Sequence, residues 1–184
     1  MDTIIRFFQE GGTFMYPIAI ILAIGLAVTL ERFIFLSREK SSNRRSFEEV
    51  LPMLQKRDFR AALNYTNSSD AKISTIFAAG ISRIPSGRRE DIELAMEEGV
   101  MEAIPQLEKR TQYVATLANI ATLMGLLGTI MGLIAAFTAV ANAAPAEKAT
   151  LLSQSISVAM NTTAFGLMAA IPLLLSHTFL QAKT

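Results

Sequence analysis

Residues 125–140 read GLLGTIMGLIAAFTAV. The stretch is apolar and free of charge, as a bilayer-crossing helix must be. Its smallest residues nevertheless fall on one line. At spacings of three and four, Ala118, Thr122, Gly125, Thr129, Gly132, Ala136, Ala139 and Ala143 take successive heptad-type positions. A coiled coil puts large apolar side chains there, and this helix puts its smallest. The charge-free run around it spans 111–146, and two others, 14–30 and 149–182, lie before and after it. Each meets the length of about 20 apolar residues needed to span a membrane. As helices the last two reach roughly 50 Å, beyond a hydrocarbon core of about 30 Å, so they are expected to project past the bilayer.

The chain has 184 residues, 51% of them hydrophobic and 18% charged, with mean hydropathy +0.37. Thirteen of the 17 Lys and Arg fall within 38–110. The positive-inside rule therefore puts this segment and the tail in the cytoplasm, with the N-terminal head and the second connection outside. The expected class is an all-α membrane protein with three transmembrane helices and a helical cytoplasmic domain. Its expected layout is a periplasmic head 1–13, transmembrane helix 14–37, cytoplasmic domain 38–110, transmembrane helix 111–141, periplasmic connection 142–149, transmembrane helix 150–180 and cytoplasmic tail 181–184. The head does not read as a cleaved signal, because the apolar run after it outruns a signal core.

In the middle segment, Pro52 and Arg57-Asp58 are expected to separate short amphipathic helices. NSSD at 67–70 should cap the next helix, and Pro85, Ser86 and Gly87 should turn the chain. The following helix should run straight into the second span, kinked at Pro105. Asp91, Glu93, Glu97 and Glu98 lack an accompanying His and read as surface charge. With no cysteine, disulfides and thiol chemistry are excluded. The basic middle, diluted by acids, gives no sign of a nucleic-acid partner.

A lone ion carrier needs a titratable group in the membrane. Glu31 and Arg32 lie at the end of the first span, where mutual neutralisation or snorkelling accounts for them. His177, the only histidine, reads as interfacial. No catalytic constellation can be assembled, which points away from an enzyme and from any cofactor beyond a transported ion. The third span carries a second small stripe. Ser155, Ala159, Thr162, Thr163, Gly166, Ala169 and Ala170 share one face, opposite Met160, Leu167, Met168, Ile171 and Leu175. Both stripes admit two readings. Small residues let helices pack closely, as in Gly128-x-x-x-Gly132. Alternatively, several copies enclose a narrow, hydroxyl-lined socket, which something slim must fill.

Residues 125–137, GLLGTIMGLIAAF, and 162–172, TTAFGLMAAIP, resemble the second- and third-span motifs of the ExbB/TolQ/MotA family. Three spans with an outside N-terminus look more like ExbB and TolQ than like four-span MotA. The resemblance implies a homopentameric ring around a dimer of ExbD- or TolR-type helices, each bearing a transmembrane Asp. Ion flow, of protons or sodium, then drives work on periplasmic or outer-membrane partners such as a TonB-type protein. It also implies an ion pathway through Thr129, Thr162 and Thr163. Ala118, Thr122, Gly125, Gly132, Ala136, Ser155, Val158, Ala159 and Gly166 would line the pore. Val158 stands where ExbB and TolQ typically have glutamate, and Thr122 where a proline is common. Lacking that glutamate, the chain resembles MotA-type stators, some of which use sodium. A sodium ion near Thr129, Thr162 and Thr163 would need several oxygen ligands. The alternative to the motor is a non-conducting membrane scaffold packed through small residues.

Overall fold

The computed structural model describes residues 11–184, and for Ser86 the backbone alone. Most of the expected head lies outside the described residues. Among the described residues, six α-helices follow in chain order: α1 Met15–Gln55, α2 Phe59–Ser68, α3 Lys72–Arg83, α4 Arg89–Glu108, α5 Thr111–Asn142 and α6 Lys148–Lys183, with a 3-10 turn Ile84–Ser86 before α4. Among the described residues, three stretches are long and apolar enough to cross a membrane: Met15–Gln55, Arg89–Asn142 and Lys148–Lys183.

The chain divides into two units. The first comprises the start of α1 and residues Arg110–Gln181. Here α1 begins with Pro17 in its first turn, where a missing N–H costs nothing. α5 and α6 run antiparallel through the connection at Ala143. Along α6, Gly12 abuts Val158 and Gly25 abuts Leu173, so α1 and α6 run in the same direction. α6 starts at Lys148 and so extends past the level of Gly12 by about 15 Å.

The second unit is Glu31–Lys109 with the last three residues. Its core is ordinary: Val50, Ala62 and Ile81 are buried, with Met53, Leu54, Leu63, Tyr65, Phe77 and Ile84 packed around them. α3 and α4 approach at Gly99, where an added Cβ would lie 3.2 Å from the Ile76 Cα.

Four local expectations are corrected. α1 continues through Pro52, which falls in its last turn, and the break comes at Arg57, whose backbone is left-handed with φ 58°. Asp58 then caps α2, its Oδ1 accepting from the Ala61 N–H at 3.1 Å. α3 is capped from α1, not from 67–70: Asn43 Oδ1 accepts from the Ile73 N–H at 3.1 Å. Ser69 Oγ accepts from the Ala71 N–H at 3.3 Å, ahead of the first turn of α3, and pairs with Ser46 Oγ at 3.0 Å. α4 does not run straight into α5. It ends at Glu108, and Arg110 turns left-handed with φ 70°, while Pro105 stays inside the helix. Nor does Arg32 snorkel. It is 3% exposed, and its Nη2 donates to the Leu107 carbonyl in the last turn of α4 at 2.5 Å. Glu31 stands 3.9 Å from the same guanidinium.

Candidate functional site

The α5–α6 seam is built by removing side chains. Gly125 of α5 faces Gly166 of α6, and a Cβ on Gly166 would sit 2.8 Å from the Ala121 carbonyl oxygen and 2.9 Å from the Gly125 Cα. Two turns along, a Cβ on Gly132 would meet the Ala159 Cβ at 2.8 Å. Gly128 faces the Thr162 methyl, with the Phe14 Cβ beyond. Only glycine fits such backbone approaches without displacing a neighbour. Ala118, Ala121, Gly125, Gly128 and Ala136 of α5 are buried, as are Ala159, Thr162, Gly166, Ala169 and Ala170 of α6. The large side chains point the other way: Leu126, Ile130, Phe137, Met160, Met168, Ile171 and Leu175 are exposed in the isolated chain.

Between the glycine contacts, the removed bulk is replaced by oxygen. Thr163 Oγ1 donates to the Gly125 carbonyl at 3.0 Å. Thr129 Oγ1 lies 3.3 Å from that carbonyl and 3.4 Å from the Ala159 carbonyl. The two threonine hydroxyls touch each other. Four oxygens thus converge on two hydroxyl protons, beyond the backbone N–H that each helical carbonyl already accepts, and hydroxyl lone pairs remain unspent. Such a cluster can ligate a hard cation or order water, but it carries no charge of its own. Among the described residues, no group of His, Cys, Asp or Glu could hold a metal.

Thr162 does not join this cluster. It is 2% exposed, and its hydroxyl donates to the Gly11 carbonyl at 2.6 Å, with the Val158 carbonyl at 3.0 Å. Neighbouring helix positions point about 100° apart, so Thr162 serves the contact with the segment just before α1 and Thr163 the α5 contact. Val158 packs toward Gly12. Thr122 bonds only along its own helix, to the Ala118 carbonyl at 3.2 Å. Of the remaining stripe members, Ser155, Thr129, Gly132 and Thr163 are partly open, and Ala139 is exposed.

Sequence reasoning had both stripes but not their division of labour between two neighbours. It also missed Gly11, whose carbonyl is the acceptor for Thr162, and the seat of Arg32. The apolar surroundings of Arg32 were a visible signal for it, but its acceptor lies 75 residues away.

These features define an all-helical, multi-pass membrane protein whose inter-helix contacts are small and hydroxyl-bearing. The profile of the MotA/TolQ/ExbB proton channel family matches residues 68–184, and the chain belongs to that family. It is similar to the biopolymer transport protein ExbB-like 3 of Synechocystis sp., 26% identical over 91% of this chain and 80% of that one. It is also similar to the ExbB homolog of Methanothermobacter thermautotrophicus, 27% identical over 98% of this chain and 64% of that protein. The Tol-Pal system protein TolQ of Haemophilus influenzae is 35% identical over 48% of this chain and 39% of its own length.

Proposed function

We propose that the chain is the ion-conducting ring subunit of an ExbB/TolQ-like motor in the bacterial inner membrane. It assembles as a homopentamer around a dimer of single-span ExbD- or TolR-type partners, each supplying a transmembrane Asp. Ion flow through the assembly then drives work on periplasmic or outer-membrane partners, such as a TonB-type protein. The N-terminus lies in the periplasm and the C-terminus in the cytoplasm, following the basic residues of 38–110. α5 and α6 rise beyond the bilayer on the periplasmic side, where they outrun α1.

The observation that carries this reading is the uncharged oxygen cluster of Thr129, Thr163 and the Gly125 and Ala159 carbonyls. It lies within residues 68–184, which the family profile matches. A carboxylate presented by a partner helix would complete it. Sodium needs several oxygens to offset its lost hydration, whereas a proton needs only the carboxylate and a water path. We take sodium as the first ion to test, with Thr129 and Thr163 as ligands and Thr162 holding α6 against the segment just before α1. The test is motor activity at fixed pH and membrane potential, with sodium replaced by potassium or choline. Loss of activity supports sodium, and full activity assigns the pathway to protons.

One observation favours a second reading, the non-conducting scaffold. A Cβ on Gly132 or Gly166 would come within 3.0 Å of the facing helix of the same subunit, so packing within one subunit already requires these glycines. Co-purification with the protein of the adjacent reading frame, followed by subunit counting, separates the two. A single-span, Asp-bearing partner at two copies per five supports the motor, and a ring with no such partner supports the scaffold.

A further inference from the structure

At the end of α1's apolar run, the structure brings a cation from the far end of the chain onto the helix. Lys183 Nζ donates to Ser37 Oγ at 2.7 Å and lies 4.0 Å from the Phe33 ring centroid. Ser37 passes its own proton to the Phe33 carbonyl at 2.6 Å. An ammonium has three protons. One goes to Ser37, one faces the ring, and one is left for an outside acceptor. Lys40 lies one turn beyond Ser37 and about 60° around the helix, on the same side. It is exposed. No ion pair or hydrogen bond ties Lys183 or Lys40 to a carboxylate among the described residues, whereas Arg44 on the next turn is already taken by Glu48 at 2.9 Å. The carboxylate that follows Ser37 by two residues, Glu39, sits more than a quarter-turn away from this face.

Depth decides what the acceptor is. Phe33 belongs to the apolar run that ends at Leu36, and Ser37 is the first residue after it. The two ammonium groups therefore stand where a bilayer changes from hydrocarbon to headgroup. We propose that Lys183, Ser37 and Lys40 form a binding site for the phosphate of an anionic phospholipid. Its acyl chains lie along the apolar face at Phe33, and its phosphate accepts from both lysines, with Ser37 holding the Lys183 ammonium in place. The site pins the end of α6 to α1 through a lipid as well as through Ser37.

The test uses the full chain purified from vesicles of phosphatidylcholine containing phosphatidylglycerol, with bound lipid counted by native mass spectrometry after detergent washing. The expected result is selective retention of phosphatidylglycerol. Lys183→Gln and Lys40→Gln should each lower it about fivefold, the effect of about 1 kcal/mol per basic residue at a charged surface. Lys183→Arg should restore most of it. Arg60→Gln, which removes the same charge from α2, should leave it unchanged. Helical circular dichroism and elution volume check that each variant folds. Equal retention of the two lipids by the unmodified chain would overturn the proposal. So would retention that ignores both lysines, or retention that Arg60→Gln lowers as much. Displacement of the lipid by excess inorganic phosphate would reassign the site to a free anion and overturn it as well.

Discussion

The two units of the chain solve the packing problem in opposite ways. In the unit around α2 and α3, large side chains point inward: Val50 and Ile81 are buried, with Leu63 and Phe77 against them. Charge stays outside, as in the exposed pairs Arg44–Glu48 and Arg89–Glu93. In the α5–α6 pair the order is inverted. Gly125, Gly166 and Ala159 are inside, and Leu126, Met160 and Leu175 are outside. Water rewards burial of large apolar groups, about 25 cal/mol per Å². Lipid does not, so helices in a bilayer gain from backbone proximity and inter-helix hydrogen bonds instead. The same chain therefore carries two grammars, and one of the boundaries between them falls at the break of Lys109 and Arg110.

The contrast is broken most severely at Gly166. Gly166→Leu should prevent the α5–α6 contact altogether, because even a Cβ reaches the Ala121 carbonyl oxygen at 2.8 Å. A loss of at least about 3 kcal/mol is expected from overpacking against backbone, read as failure to survive heating in detergent. Leu126→Phe, on the exposed side of the partner helix α5, should melt with the unmodified protein. Equal damage from both would mean that the inverted order is misassigned.

Next in size is the reverse experiment in the other unit. Ile81→Ala deletes a buried side chain and should cost about 2–4 kcal/mol, seen in denaturant unfolding. The matching deletion Leu175→Ala, on the open face of α6, should cost far less. A smaller loss, about 1 kcal/mol, is expected for Asp58→Ala, which removes the cap on the Ala61 N–H. Asp58→Asn should recover most of it.

How far the sequence could be read follows the same division. Charge-free runs and small-residue spacing mark the spans and stripes directly, since both are local periodicities. The phase was also legible: the α6 face of Ala159, Thr162, Gly166, Ala169 and Ala170 is the buried one. What was illegible depends on partners distant in sequence. Thr162 and Thr163 look equivalent until Gly11 and Gly125 take one hydroxyl each. Arg57 and Arg110 adopt left-handed backbones that glycine or asparagine would have signalled and arginine does not. Pro105 signalled a disturbance of α4, but it does not fix where the helix ends, which is three residues later at Glu108.

The central claim is that the Thr129–Thr163 oxygen cluster carries ions while the glycines around it only hold the helices together. Thr163→Val keeps the shape of the side chain and removes its hydroxyl, so it separates the two roles. Ion flux should be measured in vesicles holding the assembled complex, beside Ser157→Ala, which removes an exposed hydroxyl from the same helix. The account predicts that Thr163→Val assembles and melts within about 1 kcal/mol of the unmodified protein, as for one lost inter-helix hydrogen bond, but loses at least about tenfold in flux, as for a lost charge-stabilising hydrogen bond of about 1.5–3 kcal/mol, while Ser157→Ala conducts fully. Unchanged flux through a correctly assembled Thr163→Val complex would contradict it.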